Sequence, residues 1–324
     1  MSFDLSRRNF FLTSAAAVAA TGATTTSAAV AAEAKPTSAE GHPFRYCLNT
    51  STIRECQYQG KKVDVVSEVE IAAKAGYTGI EPWIRELDTY VKNGGVLSDL
   101  RKRIADAGLT VESAIGFAAF LHEDEAERKK GLEEAKRCMG LVREIGGERL
   151  AAPPIGVTDK TGLDLLQLSE RYRALCEVGQ QEGVYPQLEL WGFSKTLSRL
   201  GEAAFVGIEA AHPKACFLLD VYHIYKGGSG FEGLNMFAGR RMFDFHVNDY
   251  PADPPRDKIN DAARVHCGDG IAPLTDIFRT LRDGGYRGAL SLELFNPNYW
   301  KQDGLEVAKT GLEKTKAAVA KALA

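Results

Sequence analysis

The stretch Val65-Val66-Ser67-Glu68-Val69-Glu70-Ile71-Ala72-Ala73-Lys74-Ala75-Gly76-Tyr77-Thr78-Gly79-Ile80-Glu81-Pro82-Trp83 decides the fold. Val65, Val69 and Ala72 share one face of a 3.6-residue helix, Gly76 ends it, and Thr78 to Trp83 forms a short β-rich apolar run. A glycine just past the last helical turn takes positive φ without a Cβ penalty, which lets the chain turn into a strand. The same unit recurs at Gly108 before Leu109-Thr110-Val111, at Gly146-Gly147 before Arg149-Leu150-Ala151, at Gly183 before Val184 to Leu190, and at Gly284-Gly285 before Ala289 to Leu294. The first four of these glycines lie 32, 38 and 37 residues apart, the spacing of parallel βαβ crossovers. The gap from Gly183 to Gly285 holds three more units. Strands are therefore predicted near Phe44, Gly79, Val111, Leu150, Leu188, Phe217, Phe243 and Leu290. Eight such units predict a single (β/α)8 TIM barrel over residues 44–324. Leu305, Ala308, Leu312, Val319 and Leu323 give a final helix an apolar stripe to cover strand eight. An open doubly wound sheet is the alternative; the G-x-G-x-x-G turn that would favour it is absent after strand one.

The segment before the barrel reads differently. Ser6-Arg7-Arg8-Asn9-Phe10-Phe11-Leu12, a weakly apolar Ala/Thr run and Ala29-Val30-Ala31 are the parts of a cleavable twin-arginine export signal. The signal and the start of a linker are assigned to residues 1–34 and the rest of the linker to 35–43, which predicts a periplasmic or extracellular protein. Nothing after the signal is apolar enough for a membrane span. The 324-residue chain carries a net charge of −3, so no basic surface is expected for a nucleic acid. The six cysteines form no C-x-x-C pair, which argues against a zinc knuckle or redox dithiol. Cys47, Cys176 and Cys216 sit in apolar runs and are expected to be buried thiols.

In such a barrel, catalytic groups sit at the C-terminal ends of strands. Strand five ends in Gln187-Leu188-Glu189-Leu190-Trp191 and strand six in Leu218-Leu219-Asp220-Val221-Tyr222-His223. Strand seven ends in Phe245-His246-Val247-Asn248-Asp249 and strand eight in Ser291-Leu292-Glu293-Leu294-Phe295. Glu189, Asp220, His246 and Glu293 each lie among apolar neighbours. Burying four ionisable groups separately costs several kcal/mol apiece, roughly, and one shared divalent cation removes that cost. These four are the expected metal ligands, for Mn²⁺, Mg²⁺, Co²⁺ or Zn²⁺. His223, three residues past Asp220, is placed to reach a substrate oxygen as a catalytic group. Arg264 follows a long polar loop and is suited to hold a hydroxyl or enediolate oxygen. Glu81, Trp83 and Trp191, with Trp300, fall at or beyond strand ends and are expected to contact substrate; His266 is expected to be structural.

These residues resemble the xylose isomerase-like barrel superfamily of sugar isomerases and epimerases, from about Tyr46 to Ala322. Asp220-x-x-His223, Phe245-His246-Val247-Asn248-Asp249, Arg264-Val265 before Gly268-Asp269-Gly270, and Ser291 to Pro297 are most similar to the inosose (2-keto-myo-inositol) isomerase branch. The LWGFSKT run after Glu189 lacks the Arg and second Glu found in ketose 3-epimerases. The resemblance implies a metal-dependent isomerase or epimerase of a small polyhydroxylated ketone, a carbohydrate or cyclitol. Its route is a metal-stabilised enediolate, with Glu189 and Glu293 as catalytic acid and base. A dehydratase on the same site and a non-catalytic periplasmic sugar-binding protein are the alternatives, and a homo-oligomer is compatible with either.

Overall fold

The computed structural model describes residues 43–237 and 239–324. The expected export signal and nearly all of the linker lie outside the described residues. The eight strands of the main sheet are β1 (Arg45–Asn49), β2 (Gly79–Glu81), β3 (Thr110–Val111), β4 (Arg149–Ala152), β5 (Tyr185–Glu189), β6 (Cys216–Asp220), β7 (Met242–Val247) and β8 (Ala289–Leu292). All pair in parallel, β3 beside β2, then β1, β8, β7, β6, β5 and β4. Backbone hydrogen bonds from Ala114 N to Arg149 O (3.1 Å) and from Ala151 N to Ala114 O (2.9 Å) close the ring between β3 and β4. The eight strands expected from the glycine rhythm are all present.

Helices wrap the outside: α1 (Val65–Ala75), α2 (Ile84–Lys92), α3 (Leu97–Asp106), α4 (Glu125–Glu144), α5 (Leu165–Glu182), α6 (Leu200–Glu209), α7 (Val221–Gly227), α8 (Leu274–Asp283) and α9 (Gly304–Leu323). Helix α1 begins at an Asp64–Ser67 capping box and ends at Gly76, whose φ of 95° is the left-handed turn expected there. Gly183 ends α5 in the same way, with φ 74°. On α9 the expected stripe is buried at Ala308, Leu312 and Val319 and half-buried at Leu305 and Leu323. Gly311 lets α9 approach β8 closely, since a Cβ there would lie 2.3 Å from Leu292 Cδ2. All six cysteines are buried and unpaired. Among the described residues, no helix is long and apolar enough to cross a membrane.

Alternation along each strand sorts the side chains. Leu48, Ile80, Leu188, Leu219, Phe245 and Leu292 join the main core between strands and helices. A smaller cluster of Trp83, Ile115, Ala151 and Leu218, with Phe295 packed on it, is separate from that core. The intervening positions on the strands are polar: Asn49, Glu81, Glu189, Asp220, His246 and Ser291 are all buried. A buried polar layer of this kind has to satisfy itself or bind something.

Candidate metal centre and substrate cavity

The ends of β6, β7 and β8 lie side by side, and their register decides what meets. Asp220 pairs with His246, and His246 with Ser291. Glu293 follows directly on β8, its N–H donating to Val247 O at 3.2 Å. One donor atom from each of Asp220, His246 and Glu293 lies within 4.8 Å of the other two, and all three side chains are buried. His246 Nδ1 is 3.2 Å from Glu293 Oε2 and 3.7 Å from Asp220 Oδ2, yet it makes no hydrogen bond. Its Nε2 is engaged 3.0 Å from Glu81 Oε2. An unpartnered imidazole nitrogen between two buried carboxylates fits a divalent cation, which would compensate the desolvated negative charge. Mn²⁺, Mg²⁺, Co²⁺ and Zn²⁺ all suit this donor set.

Glu189, the fourth expected ligand, is not part of that group of three. On β5 it pairs with Leu218, two residues short of Asp220. Its side chain lines the adjoining cavity. Burial pushes its carboxyl up to about 8, with Glu293 and Asp220 adding to the effect and His246 opposing it. For Glu293, burial alone would raise the carboxyl, but His246 and Arg264 outweigh it and hold the group well below the usual carboxylate range.

Asp220 has two further tasks. Its Oδ1 accepts from His223 N at 2.7 Å, capping α7, and this fixes where His223 enters the site. Its Oδ2 accepts from Asn248 Nδ2 and from Arg264 Nη1, both at 3.0 Å. Arg264 Nη1 also donates to Glu293 Oε2 at 2.8 Å, and Arg264 Nη2 donates to Asp261 and lies 3.1 Å from His223 Nε2. Burial and the Arg264 charge lower the His223 pKa, which favours a neutral imidazole at the cavity wall. The Arg264 backbone is held by the Asp249–Val265 bridge and by Asn296 Nδ2, which donates to Arg264 O at 3.0 Å.

Beside Glu293 opens a cavity of about 370 Å³. Glu189, His223, Arg264 and Glu293 line it, as do Trp83, Trp191 and Trp300. Glu81 does not. It is fully buried behind His246, where a single oxygen, Oε2, meets His246 Nε2, Ser291 Oγ (2.7 Å) and Asn49 Nδ2 (3.0 Å). Its place in the structure is to hold the imidazole rather than to face the cavity.

Asn49 escaped the sequence reading. Its Nδ2 also donates to Glu293 Oε1 at 3.1 Å, and its Oδ1 accepts from Trp83 Nε1 at 2.9 Å. Its signal was its position as the polar last residue of β1. Phe117 and Phe193, which also line the cavity, sit in loops and Asp261 in a short 3-10 turn, and none of them carried a periodic signal. His266, expected to be structural, is buried and stacks on Tyr299 with centroids 4.2 Å apart.

Comparison with known proteins agrees with this geometry. The model of the xylose isomerase-like TIM barrel family matches residues 69–318. The inosose isomerase of Bacillus velezensis is 26% identical over 283 residues, spanning 86% of this chain and 98% of that protein. A 3-dehydroshikimate dehydratase of Pseudomonas aeruginosa is 27% identical over 254 residues, 75% of this chain but 37% of that protein. Among solved structures, that of the IOLI protein with a binding zinc atom superposes with a TM-score of 0.77 at 23% identity, over 86% of this chain and 99% of the other. The eight-stranded parallel ring and the family match together establish that this chain belongs to the xylose isomerase-like TIM barrel family.

Proposed function

We propose that the protein is a divalent-metal-dependent isomerase or epimerase of a small polyhydroxylated ketone, either a sugar or an inosose. The observation that carries the reading is the buried trio Asp220, His246 and Glu293, with one donor atom each within 4.8 Å of the others, of which Glu293 lines a cavity together with Glu189, His223 and Arg264. Bound by this trio, a divalent cation supplies Lewis acidity toward a carbonyl and its neighbouring oxygen. The protein's own groups do the rest. Glu189 and Glu293 reach the cavity from β5 and from the end of β8, strands separated by two others, so a substrate between them has a carboxyl on either side. One removes the proton α to the carbonyl and the other delivers a proton across the site. Arg264, lining the cavity beside His223, places positive charge near the substrate oxygens on which negative charge develops.

Glu293→Gln is the direct test. With the purified enzyme and its metal, solvent deuterium enters substrate during turnover; the variant should fold and lose that exchange. Exchange at the original rate would remove Glu293 from proton transfer. The similarity to a 3-dehydroshikimate dehydratase supports a second reading, elimination of water from the same α-deprotonated ketone. An ultraviolet-absorbing conjugated product would separate it from an isomer.

We further propose that the protein is exported. This rests on Arg7-Arg8 and the Phe10-Phe11-Leu12 start of the apolar run. Changing both arginines to lysine should leave the product in the cytoplasm; unaltered export would discard the assignment.

A further inference from the structure

A second cavity, of about 700 Å³, opens between α1 and α2. It shares no lining residue with the substrate cavity, and Arg54 stands between the two. Arg54 lines the second cavity and stacks on Trp83 of the first, its Cζ 3.9 Å from the ring centroid. Glu68, on α1, also lines the second cavity and is 1% exposed, yet its Oε2 has no hydrogen-bond partner in the protein. Glu86, on α2, engages Oε2 with Trp83 N (2.9 Å) and Thr50 Oγ1 (2.6 Å), while its Oε1 is buried and likewise unpartnered. Arg54 adds two buried donors without acceptors, Nε and Nη2. Buried polar atoms are rarely left unmet, and these four belong to side chains that line one cavity.

These atoms limit what the cavity can hold. An apolar molecule would leave all four unmet. A simple anion suits Arg54 but offers no donor to the two carboxyl oxygens. A metal ion needs a third protein ligand, and among the described residues the one such cluster is Asp220, His246 and Glu293. An ammonium group seeks a carboxylate, whereas burial, with Glu86 adding to it, pushes the Glu68 carboxyl well above the usual carboxylate range and favours the neutral acid. Hydroxyl groups meet every requirement, because each both donates and accepts and brings no charge. Val63, Val65 and Tyr90 give the same cavity a surface for C–H groups. We propose that this cavity is a second binding site, separate from the substrate cavity, for a neutral polyhydroxylated molecule, a sugar or cyclitol, held by Arg54, Glu68 and Glu86.

The probe is myo-inositol, which has no carbonyl, titrated into the metal-loaded protein by calorimetry. A Kd of about 1 mM or tighter is expected. Glu68→Gln and Arg54→Met should each weaken that binding by about tenfold or more, whereas Glu293→Gln, in the substrate cavity, should leave it within about twofold. Circular dichroism checks that the variants fold. Hydrogen exchange on the unaltered protein locates the probe without any substitution: amides of α1 and α2 should gain protection. Binding that Glu293→Gln abolishes and Glu68→Gln spares, with no protection of α1 and α2, would put the polyol in the substrate cavity and overturn the proposal. Tighter binding of β-alanine or acetate at the same residues would overturn it too, as would no binding of myo-inositol at all, which would mean that water alone fills the cavity. Because the two cavities share no lining residue, none of these outcomes bears on the isomerase reading.

Discussion

Glu81 Oε2 lies 3.0 Å from His246 Nε2, and both side chains are fully buried. A carboxylate there accepts the Nε2 proton, which fixes the ring so that Nδ1 faces Asp220 and Glu293, where it can give up its proton and offer its lone pair to a cation. Glu81 thus acts on the cation site through the imidazole.

Glu81→Gln should therefore weaken divalent-metal binding by about 10–100-fold, the usual effect of losing such a partner. Titration of metal-free protein with Mn²⁺ or Zn²⁺ measures it. An unaltered dissociation constant would mean that Glu81 does not orient the ring.

Arg264 neutralises the same carboxylates. Its Nη1 bonds both Asp220 Oδ2 and Glu293 Oε2, and the whole side chain is buried. Arg264→Met leaves those carboxylates without a cationic partner, a change that costs about 3–5 kcal/mol when one member of a buried pair is removed. Added divalent metal should restore part of the loss, so the metal-induced rise in Tm should be larger in the variant than in the unaltered protein. A smaller rise would show that Arg264 aids metal binding instead of competing for the carboxylates.

His266 gives stability a pH dependence of known sign. Burial, with the Lys314 charge adding to it, lowers its pKa to about 4, below an unfolded value of about 6.5. Between those values the unfolded chain binds a proton at this site that the folded one does not, so the His266 contribution to stability falls as pH drops from about 6.5 to 4. The loss is about 3 kcal/mol, at about 1.4 kcal/mol per pH unit. Below pH 4 this contribution stops changing. Denaturant unfolding across that range measures it as the difference in slope between the unaltered protein and His266→Gln, because the raised Glu189 carboxyl changes stability in the opposite sense over part of the same range.

Tyr172 ties β5 to β6 from α5. Its buried hydroxyl lies 2.8 Å from Pro186 O and 2.9 Å from Cys216 O, and accepts from Cys216 N at 3.0 Å. Tyr172→Phe keeps the ring and strands those backbone groups, so it should cost about 1–3 kcal/mol of unfolding free energy. A change near zero would show that the backbone groups find each other once the hydroxyl is gone.

The sequence by itself determined the barrel and the composition of its mouth. Helix–glycine–strand units at regular spacing allow few other packings, and an ionisable residue inside an apolar strand end is visible as such. Asp220, His246 and Glu293 were legible for that reason. Depth was not legible. Strand periodicity says which side chains point inward, but how far one strand slides past the next is set by the closed ring of backbone hydrogen bonds. That register pairs Asp220 with His246, bringing two of the trio together, and pairs Glu81 with Asn49, behind His246. Loop conformation likewise brought Phe117 and Phe193 to the cavity from segments without a repeating pattern. Local sequence fixes which residues a strand offers; only the assembled sheet fixes which of them touch, because contact depends on the positions of neighbours distant in the chain.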